Sequence, residues 1–198
     1  MSDVRVAAGA DRVPVTQMLS RAFADDPAMS FIFPDPADRA RRMPRLFALL
    51  FDSYRMAGMR LVTAGGEAAT LWRGPGRVHT GRLEMLRQAL PMFATFGRAL
   101  PRALALSDAI GAHMPSGAFW YLHIAGCDPV AQGKGLGGAV VRAGLTRAAG
   151  RMPCYLETAT EANLGFYAKL GFAVRSEWRV PKGGPRFWSM LRPPDGQD

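Results

Sequence analysis

A chain of 198 residues is long enough to bury a sizeable core in one domain, and an apolar fraction of 48% excludes a disordered or fibrous protein. No apolar run nears the ~18–20 residues needed to span a bilayer. The net charge of +9 points to an anionic partner, either nucleic acid or an anionic cofactor.

Taken in chain order, VRVA (4–7) alternates like a short strand. Val15, Met18, Leu19, Ala22 and Phe23 fall on one helical face, and DDP (25–27) reads as the end of that helix. Asp35-Pro36 offers a cap and a first-turn proline for a second helix, with Met43, Leu46, Phe47, Leu50, Phe51 and Tyr54 as its apolar stripe. The densest basic run, RARRMPR (39–45), interleaves with that stripe and reads as the wet side of the helix. No zinc finger, basic zipper or aromatic-basic signature accompanies it, so nucleic-acid binding is not expected.

Segments 60–63 and 67–73 read as strands around Gly65-Gly66, a hairpin turn signal. GPG (74–76) breaks the chain. From about Gly81 to His113 the pattern is helical. Pro91 and Pro101 punctuate it, which predicts two or three short helices. Segment 119–125 is a strongly apolar strand, followed by the glycine-rich QGKGLGG (132–138) and a helix through Val140, Val141, Leu145 and Ala148. A strand at 154–158, a helix at 161–170 and a closing hairpin of 172–180 and 187–191 around KGGP complete the order, with a frayed tail, PPDGQD.

These seven strands and their helices predict a single α+β domain over residues 1–198, with a helical insertion at about 81–113. Its mixed sheet has its parallel part in the strand-helix-strand unit at 119–158. The N-terminus lacks the pattern of a signal peptide, so a soluble cytoplasmic protein is expected, off the membrane and either monomeric or homodimeric. Cys127 and Cys154 form no CxxC pair, and His79, His113 and His123 stand apart, so no metal is expected.

QGKGLGG sits where a strand becomes a helix. The first amides of a helix lack intrahelical partners and carry partial positive charge, and glycines let a bulky anion reach them. The loop is therefore suited to a phosphate, although a tight strand-to-helix connection would use similar residues. Gly133-Lys134 is followed by Gly135 rather than Ser or Thr, which fails the nucleotide P-loop pattern. GxGxxG is met by Gly133, Gly135 and Gly138, but a dinucleotide fold needs more βα units than remain. The pattern [QR]xxGx[GA] is met by Gln132, Gly135 and Gly137, after an apolar strand ending in Asp128-Pro129.

This last pattern resembles the pyrophosphate-binding motif of the GNAT N-acetyltransferase superfamily. A second stretch, YLETATEANLGFYAKLGF (155–172), resembles the family's other signature at Glu157, Asn163, Tyr167, Gly171 and Phe172. With AFADDP near the first helix and VPKGGPRFWSML at the end, the chain is similar to the puromycin N-acetyltransferase type. The likeness is firm in the C-terminal half and thin from Arg39 to Pro115.

The resemblance implies a GNAT-like sheet, mostly antiparallel, whose parallel pair splays apart to admit acetyl-CoA. It implies transfer of an acetyl group to the primary amine of a small molecule, such as an aminonucleoside antibiotic, by direct attack through a tetrahedral intermediate. Acetylation of a protein or peptide, or a non-catalytic acyl-CoA-binding module, are the alternatives. Gln132, Gly133, Lys134, Gly135, Gly137 and Gly138 would hold the pyrophosphate. The amide around Gly126-Cys127 would polarise the thioester oxygen.

An alkylammonium with a pKa of ~10 must lose a proton before it attacks. Glu157 is the first choice of base; it could instead bind the substrate cation or anchor a helix. His123 is the second choice, unless it is a core residue. Tyr167 matches the family's general acid for the departing thiolate, or else covers the sulfur end of the cofactor. Asn163 would bind the pantetheine arm, cap a helix, or both. Phe23, Asp25, Asp26, Phe31, Phe33 and Trp120 are candidates for the acceptor site.

Overall fold

A computed structural model describes residues 3–78, 82–148 and 152–194. The expected start of the insertion at Gly81, His79, and residues 195–198 of the tail lie outside the described residues. Seven strands form one sheet in the order β1-β2-β3-β4-β5-β7-β6. They are β1 (Val4–Val6), β2 (Gly58–Thr63), β3 (Ala68–Arg73), β4 (Trp120–Cys127), β5 (Cys154–Thr158), β6 (Ala173–Arg179) and β7 (Arg186–Arg192). All neighbours pair antiparallel except β4 and β5, which are parallel.

Side-chain alternation gives the sheet two apolar faces. On one, Val62, Ala69, Leu71 and Ile124 pack beneath α1 (Arg12–Ala22) and α3 (Pro36–Ala57). On the other, Leu61, Ala68, Trp72 and Leu122 meet Val140 and Val141 of α6 (Leu136–Ala148).

DDP does not merely end the first helix. Asp26 starts a further one, α2 (Pro27–Ile32): its carboxylate accepts from the amides of Ala28 (2.9 Å) and Met29 (3.0 Å), and Pro27 occupies the first turn. The insertion forms α4 (Arg82–Phe96) and α5 (Leu100–His113), joined by a 3-10 turn in which Gly97 has φ +48°. Pro91 lies inside α4 and does not end it, as Pro44 lies inside α3. The helix expected at 161–170 divides into a 3-10 turn, Glu161–Asn163, and α7 (Leu164–Ala168). At the far end of α5, His113 stacks on Trp178 of β6 at 4.2 Å, and its carbonyl accepts from the Tyr155 hydroxyl at 3.3 Å. The insertion is thereby tied to the sheet beyond the site.

Candidate active site

The site begins with an interruption of the sheet. β4 and β5 are in register only at Trp120↔Cys154 and Tyr121↔Tyr155, and beyond Tyr121 they separate. On its other edge β4 stays paired with β3 as far as Cys127, apart from a shift between Leu71 and Trp72 that leaves His123 without an opposite residue. The Asp128 amide donates to the Glu67 carbonyl at 2.8 Å, which sets the phase of the ladder. By alternation, the Gly126 and Ile124 amides face β3, and the Cys127 and Ala125 amides face the gap. Buried backbone donors in such a gap call for an acceptor.

A cleft of about 860 Å³ opens from this gap. Its floor is the end of β4 and its roof is the first turn of α6. Phe166 and Tyr167 of α7 form one wall, and the end of α1 with Asp25 and Asp26 forms the other. The Asp128 carboxylate fixes the loop between β4 and α6. It accepts from the Val130 amide and pairs with Arg21, whose charge holds it below the usual carboxylate range. The Gln132 side-chain amide donates to the Cys127 carbonyl at 3.4 Å, so it braces the turn. Gly133 and Gly135 both have φ +77°, and a Cβ on either would meet nothing. These glycines are therefore required by backbone conformation rather than by crowding. The open space beside them lies at the amide-rich start of a 13-residue helix, where an anionic group fits. At the other end a Cβ on Gly126 would sit 2.5 Å from Leu19 Cδ2 and 3.2 Å from the Phe23 ring, so the cleft narrows there.

The cleft brings together most of the residues expected from the sequence: Gly126 and Cys127, Gln132, Gly133, Gly135, Gly137 and Gly138, Asn163 and Tyr167, with Phe23, Asp25 and Asp26. Lys134 does not line it. Nor do Phe31, which packs with the cluster around Phe33 and Phe96, or Trp120, which packs with Trp72 and Leu122. Asn163 does not cap α7 through its side chain; its Nδ2 donates to Thr158 Oγ1 at 3.3 Å.

Three groups carry the electrostatics, Tyr167 buried and Glu157 and His123 half-buried. Burial raises the Tyr167 phenol well above its ordinary pKa, with Glu157 and Asp26 adding to the effect, so it is protonated at neutral pH. Glu157 lies behind the cleft wall. Its Oε1 accepts from the Tyr121 hydroxyl, and its buried Oε2 has no hydrogen-bond partner among the described residues. Burial pushes this carboxyl up to about 8, partly offset by the Tyr121 hydrogen bond. His123 pairs through Nδ1 with the Tyr54 hydroxyl and stacks on Tyr121 at 5.1 Å. Burial, with the nearby Arg73 charge, drives it down to about 3, so it is neutral at physiological pH.

The acetyltransferase (GNAT) family model matches residues 104–172, the span that holds the glycine loop, the splayed strands and Tyr167. That segment is similar to the GNAT acetyltransferases. The GNAT fold extends over the whole length of the chain. A Corynebacterium glutamicum protein, described as histone acetyltransferase HPA2 and related acetyltransferase, aligns with 100% of this chain and 99% of its own at 26% identity, with a TM-score of 0.77. Arylalkylamine N-acetyltransferase 2 from Aedes aegypti has 14% identity over 96% of this chain and 98% of its own, with a TM-score of 0.60. A GNAT acetyltransferase from Brucella melitensis, solved with acetyl-CoA, has 17% identity over 100% and 90%, with a TM-score of 0.51.

Sequence reasoning missed some of this site. Tyr121 and Tyr54, which hold Glu157 and His123, gave no signal beyond an apolar strand and an apolar stripe. Lys169, which also lines the cleft, is one of only three lysines in the chain, and that scarcity was a usable signal. Among the described residues, no cluster of His, Cys, Asp or Glu is arranged for a metal, and no helix is long and apolar enough to cross a membrane.

Proposed function

We propose that this chain is an acetyltransferase that moves the acetyl group of acetyl-CoA to the primary amine of a small molecule, and that residues 1–198 act as one catalytic domain. The observation that carries the reading is the splay of β4 from β5, with Tyr167 on the wall of the cleft it opens and the half-buried Glu157 one strand away on β5. Acetyl-CoA, when bound, supplies an activated acyl thioester on a long arm.

The chain's own residues do the rest. Amides of Gly133 to Gly138, at the α6 N-terminus, hold the diphosphate. The Cys127 and Ala125 amides donate to the arm and to the thioester oxygen as charge develops on it. Glu157 takes the proton that the acceptor ammonium must lose, directly or through a water, and Oε2 is the oxygen free to take it. His123 is not the base: at about 3, its pKa is too low for that work near neutrality. Tyr167 returns a proton to the departing thiolate.

The acceptor enters beside Phe23, Asp25 and Asp26, where an aromatic ring and carboxylates suit a small cation carrying an aromatic group. An aminonucleoside has both features. The sequence likeness to the puromycin N-acetyltransferase type supports that class, and the arylalkylamine enzyme among the similar structures supports an aromatic amine.

The experiment is steady-state turnover of a panel of aromatic amines and aminonucleosides, followed by thiol release, for the wild type and Tyr167→Phe. The variant is expected to lower kcat about 10²–10⁴-fold, the range of a single acid-base group, while CoA binding stays within about twofold. Equal kcat in the two proteins would remove Tyr167 from the mechanism.

A further inference from the structure

A second cavity, of about 300 Å³, lies between α6 and α7 and is lined by Arg142, Leu145, Thr146, Lys169, Leu170 and Arg192. Three of its six lining side chains are cationic and none is acidic. It is not separate from the cleft. Lys169 lines both, and the Arg142 guanidinium lies against Gly138, where a Cβ would sit 3.1 Å from one of its nitrogens. The amide-rich turn at Gly133–Gly138 therefore continues, over one turn of α6, into a cationic shoulder.

Two of these cations, Arg142 and Lys169, are not spent on carboxylates of the described residues. Among the described residues, no carboxylate forms an ion pair with Arg142 or Lys169. Arg142 projects from the exposed side of α6, and Lys169 follows the last residue of α7. Like charges brought together at the rim of a cavity repel, and an anion relieves that repulsion.

We infer that Arg142 and Lys169, with Arg192 beside them, form a subsite for a phosphomonoester lying beyond the diphosphate cradle. This inference rests on the acetyl-CoA reading of the cleft. In that reading the ligand is the 3′-phosphate on the ribose of CoA. It is the only remaining dianion of the molecule once the diphosphate is seated on the amides. The subsite's task is selectivity: it separates CoA thioesters from thioesters on shorter or dephosphorylated carriers, which the amide cradle alone accepts. A phosphate monoester gives both cations charge-assisted contacts, and the guanidinium fork suits two phosphate oxygens at once.

The test is isothermal titration of the full chain with CoA, dephospho-CoA and adenosine 3′,5′-bisphosphate. The proteins are the wild type and the double variant Arg142→Gln/Lys169→Gln. Both side chains are exposed, and matched thermal midpoints confirm folding. The wild type is expected to bind CoA about tenfold more tightly than dephospho-CoA, in line with partly exposed charge pairs. It should also bind the bisphosphate measurably. The double variant should bring the ratio of the two carriers close to one by weakening CoA, with dephospho-CoA unchanged. A wild-type ratio near one, a ratio unaltered in the variant, or equal weakening of both carriers would overturn the subsite while leaving the cleft as the CoA site. Failure of the wild type to bind either carrier would overturn the cleft reading and the subsite with it.

Discussion

At the residue scale, Glu157 is the most informative group. Its carboxyl is tethered through one oxygen to Tyr121, and burial raises it to about 8. A base must be deprotonated to act, so kcat/KM should rise with pH and level off only above about 8. Glu157→Gln should abolish that limb and lower kcat about 10²–10⁴-fold. A profile flat from pH 6 to 9 would show that proton removal does not pass through this carboxyl.

The same group makes a stability prediction. Its folded-state pKa of about 8 exceeds the ordinary 4.5, so the folded form binds the extra proton. Its contribution is fully present below about 4.5 and is lost as pH rises through about 8. Thermal melts of Glu157→Gln and wild type should therefore nearly coincide at pH 5, with the variant several degrees more stable at pH 9. The reverse order at pH 9 would mean that the carboxylate is stabilised in the fold.

The sequence singles out Glu157 and Tyr167 as candidates because both lie within one continuous signature. Tyr121 escaped notice for a physical reason. Its hydrogen bond to Glu157 exists only because parallel pairing lasts two residues before the strands part, and that register joins residues 36 positions apart in the chain.

At the scale of elements, the glycines of α6 and its loop divide into two kinds, and substitution separates them. Gly144 packs against the fully buried Trp72: a Cβ there would sit 2.5 Å from the indole. Gly144→Ala should destabilise the fold by about 1–3 kcal/mol, the range for overpacking, seen as a lower urea midpoint. Gly135 has open space around it but φ +77°. Gly135→Ala should cost about 1–2 kcal/mol of backbone strain. Because that strain falls on the cradle, CoA affinity should drop well beyond what the loss of stability accounts for. If Gly135→Ala bound CoA as the wild type does, the loop amides would not be the cradle.

Most elements were legible from periodicity and turn residues, and β5 was read to the residue. The failures share one cause: a residue that can end a helix can also begin or sit inside one. Asp26-Pro27 reads as a stop in the sequence, but it caps and opens α2. Pro91 can stop or kink a helix, and α4 carries on past it into the buried Phe96. In both cases tertiary packing decided between local options that the sequence leaves open.

At the scale of the whole molecule, the order of the sheet does the functional work. Antiparallel pairs on both flanks hold β4 and β5 as rigid edges, so the gap between them is a fixed feature of the sheet. Helix α6 enters at the mouth of that gap and α7 closes its side. The gap itself was legible only through family likeness, because no local pattern in β4 or β5 says that two parallel strands will part. The net charge of +9 is distributed unevenly: Arg142 and Lys169 lie at the α6–α7 shoulder beside the glycine-rich turn, and the basic run on α3 is partly spent on Asp38.

The central claim is that this gap seats a thioester cofactor with its sulfur at Tyr167. A crystal structure of the chain with acetyl-CoA tests it most directly. The account predicts the diphosphate on the amides of Gly133–Gly138, the arm between β4 and β5, and the Tyr167 hydroxyl within hydrogen-bonding distance of the sulfur. A cofactor bound elsewhere, or a sulfur out of reach of that hydroxyl, would contradict it.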